Sequence, residues 1–163
     1  LHTLFPYTTL FRSDCRSLDK NNLSEDCCTN NIILKCGNTI SSIVQLPLVP
    51  GLLGTPITVA NVTINTSCLE NPEIKLDFAL NIAIPEGVTI DNLIFQVFKF
   101  CQDINQKIPV GPPWSFKNTL LMETNKIFSL FVCDSDCDTS KNKCCTYILE
   151  ATPYTNAIPI RPN

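Results

Sequence analysis

Glu73–Ile84, EIKLDFALNIAI, is the stretch that decides the fold. Ile74, Leu76, Phe78, Leu80, Ile82 and Ile84 alternate there with polar or small residues. Successive side chains leave a strand on opposite sides, so a period of two held over six apolar positions predicts a strand with one buried face. No window of the chain shows the 3.6-residue period of an amphipathic helix.

Working outward, residues 91–101 (DNLIFQVFKFC) read as a second long strand, apolar enough to be covered on most of both faces. Residues 57–65, 126–133 and 144–152 complete the main set, with shorter signals at 32–36 and 43–48. Residues 49–56 hold two prolines and two glycines and read as a loop. Residues 108–113 read as another, because Pro112 and Pro113 cannot supply ladder donors. Strands at this spacing predict an all-β fold, an antiparallel β-sandwich of jelly-roll or Greek-key type. Residues 14–31, rich in Asn, Ser, Asp and Cys, read as a flexible N-terminal arm.

Residues 1–13, LHTLFPYTTLFRS, stand apart. Thr3 to Ser13 match the one-frame translation of a common sequencing adapter, the chain opens on Leu1, and its one methionine is Met122. This stretch is therefore set aside from the fold. It is expected to pack poorly, and a site built on His2 or Arg12 is to be distrusted. Its apolar character imitates a signal peptide, whereas residues 14–31 contain no apolar core of that kind. The division that follows is 1–13 adapter-derived, 14–31 arm, and 32–163 one β-sandwich domain, cut short at its C-terminus.

Setting 13 of the 163 residues aside leaves 150, enough for one domain with a sizeable core. It also leaves 11 basic residues against 15 acidic ones, a net charge of −4. Lys35, Lys75, Lys99 and Lys126 are scattered, so nucleic acid, which needs a concentrated basic surface, is not an expected partner. No apolar run reaches the 18 or so residues of a membrane span.

His2 is the sole histidine, so the remaining chain offers no Ser-His or Cys-His nucleophile. The five glycines, at 37, 51, 54, 87 and 111, form no phosphate-binding loop. Glu73 and Asp77 share a strand face but lie roughly 13 Å apart, too far for an acid–base pair. No enzyme, and no cofactor, is expected. The triplets beginning at Asn22, Asn61 and Asn65 fit the N-glycosylation pattern, which arises easily in an Asn-rich chain. Trp114 reads as a core or loop anchor.

The chemistry lies in ten cysteines, all beyond residue 13, too many for a typical reduced protein of this size. Cys144 and Cys145 open a strand, so their sulfurs face opposite sides and do not easily serve one partner. Either one bond lies within the chain and one sulfur serves another chain, or both are satisfied internally. Cys27 and Cys28 lie on the arm, between Cys15 and Cys36, where mobile backbone can reach beyond its own domain; the alternative is an arm pinned to its own sandwich. The competing reading is zinc, since Cys133, Cys137, Cys144 and Cys145 offer four thiolates; vicinal ligands without histidine match structural zinc sites poorly. Asp134, Asp136 and Asp138 start like a calcium loop, but Thr139 replaces the glycine and Cys145 the glutamate, so they read as a solvated turn.

The segments ILKCG (33–37), IFQVFKFC (94–101), IPVGPPWSF (108–116), FSLFVCDSDC (128–137) and CCTYILEAT (144–152) together resemble a small cysteine-rich family of unknown function from clostridial spore-forming anaerobes. The resemblance spans residues 32–152 and implies no catalytic activity. Members of that family continue into a further strand-like stretch, which this chain lacks. A looser, architectural likeness is to subunits of bacterial endospore appendages, jelly rolls whose N-terminal connector carries Cys-Cys and then a later Cys. Cys27, Cys28 and Cys36 take those places here, with shorter spacing and a different C-terminal cysteine pattern.

The expected function is a self-assembling structural subunit of a spore-surface or extracellular fibre or coat, with copies of itself as partner. Cys15, Cys27 and Cys28 are the expected interchain cysteines, with Cys144 or Cys145 as acceptor; Cys36, Cys68, Cys101, Cys133 and Cys137 are expected in internal bonds. The alternative is a monomeric, disulfide-held module that binds carbohydrate or metal.

Overall fold

The computed structural model describes the backbone of residues 2–6 and, in full, residues 35–66, 72–101, 106–135 and 144–155. The arm at 14–31, with Cys15, Cys27 and Cys28, lies outside the described residues, as do Cys68 and Cys137. The described residues form nine strands: β1 His2–Pro6, β2 Asn38–Thr39, β3 Ser42–Val44, β4 Ile57–Asn65, β5 Glu73–Ile84, β6 Ile90–Cys101, β7 Ile108–Asn118, β8 Thr124–Ser135 and β9 Cys144–Tyr154. No helix occurs among them, and so none that is long and apolar enough to cross a membrane.

The strands make two antiparallel sheets, one in the order β3-β1-β5-β8 and one in the order β2-β4-β9-β6-β7. β5 and β8 pair over their full length, from Glu73↔Ser135 to Ile84↔Thr124. On β5 the even-numbered residues turn inward, with Leu80, Ile82 and Ile84 essentially fully buried, which is the alternation of EIKLDFALNIAI made physical. β6 is more deeply enclosed because it lies between β9 and β7, and no residue from Ile90 to Lys99 is fully exposed.

Both sheets contribute to one core. Phe95 of β6 stacks on Phe128 of β8 with ring centroids 4.9 Å apart, and Phe116 of β7 meets Phe128 edge-on at 5.8 Å. Such contacts add to the burial of large apolar area, the dominant favourable term in folding.

Two expectations need correction. Residues 108–113 are strand, not loop. β7 is an edge strand, where missing N–H groups face outward, and the ladder skips from Phe95↔Trp114 to Val97↔Val110 around Gly111, Pro112 and Pro113. Prolines are tolerated at such a bulge because no ladder donor is needed there. The strand signal at 32–36 does not extend into Lys35 and Cys36, and the one at 43–48 ends at Val44. Pro47 lies just beyond that end, and Leu48 is 99% exposed. The backbone of His2–Pro6, within the segment set aside from the fold, pairs on both sides, with Thr3 opposite Ile43 and Ala83. β3 and β5 present facing backbone edges there, and Thr and Phe are enriched in strands.

Candidate functional site

Four of the described cysteines, Cys101, Cys133, Cys144 and Cys145, lie on β6, β8 and β9 toward one end of the molecule. Cys101 and Cys145 are cross-strand partners on β6 and β9, with Cα atoms 4.1 Å apart, and they form a disulfide. Cys145 turns inward with Tyr147, Leu149 and Ala151, and its sulfur is buried. Cys144, on the opposite parity, is half-buried and also disulfide-bonded.

This corrects the assignment of an interchain acceptor. Cys145 is held inside the chain by Cys101, and both members of the vicinal pair are bonded. The zinc alternative falls with them, because a sulfur in a disulfide has no thiolate to offer. Among the described residues, no group of three or more His, Cys, Asp or Glu side chains is arranged to hold a metal ion. Cys36 and Cys133, expected in internal bonds, instead carry free thiols.

Cys133 owes its position to its neighbour. Asp134 turns inward, where one carboxylate oxygen accepts a 2.6 Å hydrogen bond from the hydroxyl of Tyr147 and lies 3.1 Å from Nζ of Lys99. Tyr147 is fully buried and Lys99 nearly so. This ion pair and hydrogen bond tie β8 to β6 and β9 in the other sheet, and strand alternation then forces Cys133 outward. Asp134 is thus a structural carboxylate rather than part of a solvated turn.

The outward face of β8 carries Ile127, Ser129, Phe131, Cys133 and Ser135 in succession. Ile127 is 82% exposed, Phe131 is 62% exposed, and Cys133 is exposed. Lys75 on β5 lies opposite Cys133, with its ammonium 5.7 Å from the Phe131 ring centre and 3.2 Å from Asp77. β8 is also the last strand of its sheet, so one backbone edge has no partner strand among the described residues. Cys36 is half-buried, two residues before β2, the edge strand of the other sheet. The two free thiols among the described residues therefore lie on or beside sheet edges.

Parity explains why Cys133 escaped the sequence reading. In FSLFVCDS the even-numbered Phe128, Leu130 and Val132 are apolar while the odd-numbered positions mix Phe131 and Cys133 with Ser129 and Ser135, so alternation leans toward an outward Cys133, but the even-numbered Asp134 breaks the pattern. The inward Asp134 is the deciding residue, and its partners are distant in sequence.

The site thus belongs to an all-β, disulfide-bearing domain with thiols at its edges. The chain belongs to the family described as a domain of unknown function (DUF4489), whose model matches residues 30–159. No curated protein and no solved structure matches the chain.

Proposed function

We propose that the protein is a self-assembling structural subunit, a β-sandwich of jelly-roll or Greek-key type whose copies are joined by interchain disulfides at an oxidising spore or cell surface. The observation that carries this reading is the free, exposed thiol of Cys133 on an edge strand, flanked by Phe131 and Ile127. An uncovered strand edge is a template for pairing with another chain, and exposed apolar side chains beside it favour that contact. A thiol at the same place converts a reversible contact into a covalent one. In this reading Cys133 replaces Cys144 and Cys145 as acceptor, and Cys15, Cys27 and Cys28 of a second copy supply the other sulfur. The buried Cys101–Cys145 bond suits an oxidising location.

Gel electrophoresis of mildly oxidised protein, with and without reductant, tests the reading. A ladder of species is expected without reductant, collapsing to one band with it. Cys133→Ser removes most of the ladder. A single monomer band in both lanes, or a ladder indifferent to Cys133→Ser, would overturn it.

A further inference from the structure

At the opposite end from the disulfide, seven large apolar side chains stand exposed on two loops. Leu48, Val49, Leu52 and Leu53 lie in residues 45–56, and Leu120, Leu121 and Met122 follow β7. The loops are neighbours. Leu53 bridges to Tyr154 at the end of β9, Asn92 of β6 pairs with the same tyrosine, and Ile90 pairs with Asn118 at the end of β7. They are thus separated by three strand spacings, about 15 Å.

These loops are built rather than loose. Backbone N–H groups of Gly51 and Gly54 donate to the carbonyls of Thr155 and Pro153, each at 2.7 Å, and Gly87 donates to Leu121 at 2.6 Å. Side chains of Thr155, Asn118 and Thr124 donate to the carbonyls of Pro47, Leu120 and Met122 at 3.2, 3.0 and 2.9 Å. Gly51 sits at φ +83°, a conformation an L side chain resists. Fixed backbone with leucines held in water is the preorganised form of a docking surface, since its ordering cost is met before a partner arrives.

We propose that this end is a non-covalent interface between two copies, docked end to end about a twofold axis. The inference rests on the self-association reading and adds a contact that needs no cysteine. The exposed residues present on the order of 700 Å² per copy, so complete pairing of two ends buries at most about 1,400 Å², within the range of a stable interface. The exposed rim carries both signs, Glu86 and Glu123 with Lys117 and Lys126. A twofold can set one copy's acids against the other's lysines. Neither loop contains the Lys or Arg that an anionic bilayer would attract.

The test is sedimentation of the full chain with its free thiols alkylated by iodoacetamide, over about a hundredfold range of concentration. A monomer–dimer equilibrium is expected, weakened at least about tenfold by Leu48→Glu with Leu121→Glu. Should that pair fail to fold, Leu48→Asn, at a nearly fully exposed side chain, shows a smaller shift in the same direction. A monomer at every concentration, a dimer that ignores these changes, or co-sedimentation with phosphatidylcholine vesicles in place of dimer would overturn the proposal. The denaturing gel reads covalent links alone, so failure of this interface and failure of the disulfide reading are separately visible.

Discussion

Asp134 shows what one side chain decides in this molecule. Its carboxylate meets Tyr147 and Lys99 across the core, and by turning inward it sends Cys133 outward. Tyr147→Phe removes one hydrogen bond to a charged acceptor and is expected to cost about 1–2 kcal/mol. Asp134→Ala removes the ion pair to Lys99 as well, and is expected to cost more, about 2–3 kcal/mol. Urea unfolding of the three proteins checks the order; equal losses would mean that the lysine is already solvated. The cysteines divide at this scale too. That Cys144 and Cys145 face opposite ways is legible from CCTYILEAT, because a strand must alternate. Which sulfurs find partners is not, because pairing depends on strands that meet only in the folded chain.

Among the elements, β5 was fully legible: a period of two in twelve residues needs no tertiary help. β4 was equally plain. β7 was not, because the rule that prolines break ladders holds only where a ladder is required. Gly111, Pro112 and Pro113 occupy a bulge on an edge strand, and Gln96 of the neighbouring β6 supplies what the bulge lacks. Its side-chain amide donates to the carbonyls of Val110 and Gly111, each at 3.2 Å, and to Val97 at 2.9 Å. Gln96→Met is therefore expected to cost about 1–2 kcal/mol. Gly111 has φ +68° and an added Cβ would strike Val132 of β8, so Gly111→Ala is expected to cost about 1–3 kcal/mol. Thermal unfolding of both variants measures these losses; an unchanged midpoint for Gly111→Ala would mean the bulge relaxes freely.

The whole molecule is polarised, with bonded sulfurs at one end and bare leucines at the other. The Cys101–Cys145 bond closes a stretch with a sequence separation of 44. By loop-closure entropy this corresponds to up to about 4 kcal/mol of stability, so replacing both with serine is expected to cost about 2–4 kcal/mol. Guanidinium unfolding measures it, and a loss under about 1 kcal/mol would mean that the oxidised and reduced unfolded chains are equally restricted. An all-β fold was legible from alternation alone, and residues 49–56 were legible as a loop. The exposed end was not, since LPLVPGLL reads as apolar sequence and apolar sequence is ordinarily buried. The hydrogen bonds from Gly51 and Gly54 to the end of β9 are what keep it at the surface.

The paired prolines of β7 have a consequence for growth. Of the two outermost long strands, β7 cannot template a neighbour through Pro112 and Pro113, whereas β8 can. β7 and β8 lie side by side on one flank, where Phe116 meets Phe128, so on that flank one sheet's edge is closed to a further strand at its prolines and the other sheet's edge is open. In the proposed assembly, a strand added on that flank would pair with β8 alone, and oxidation of Cys133 would make the contact permanent.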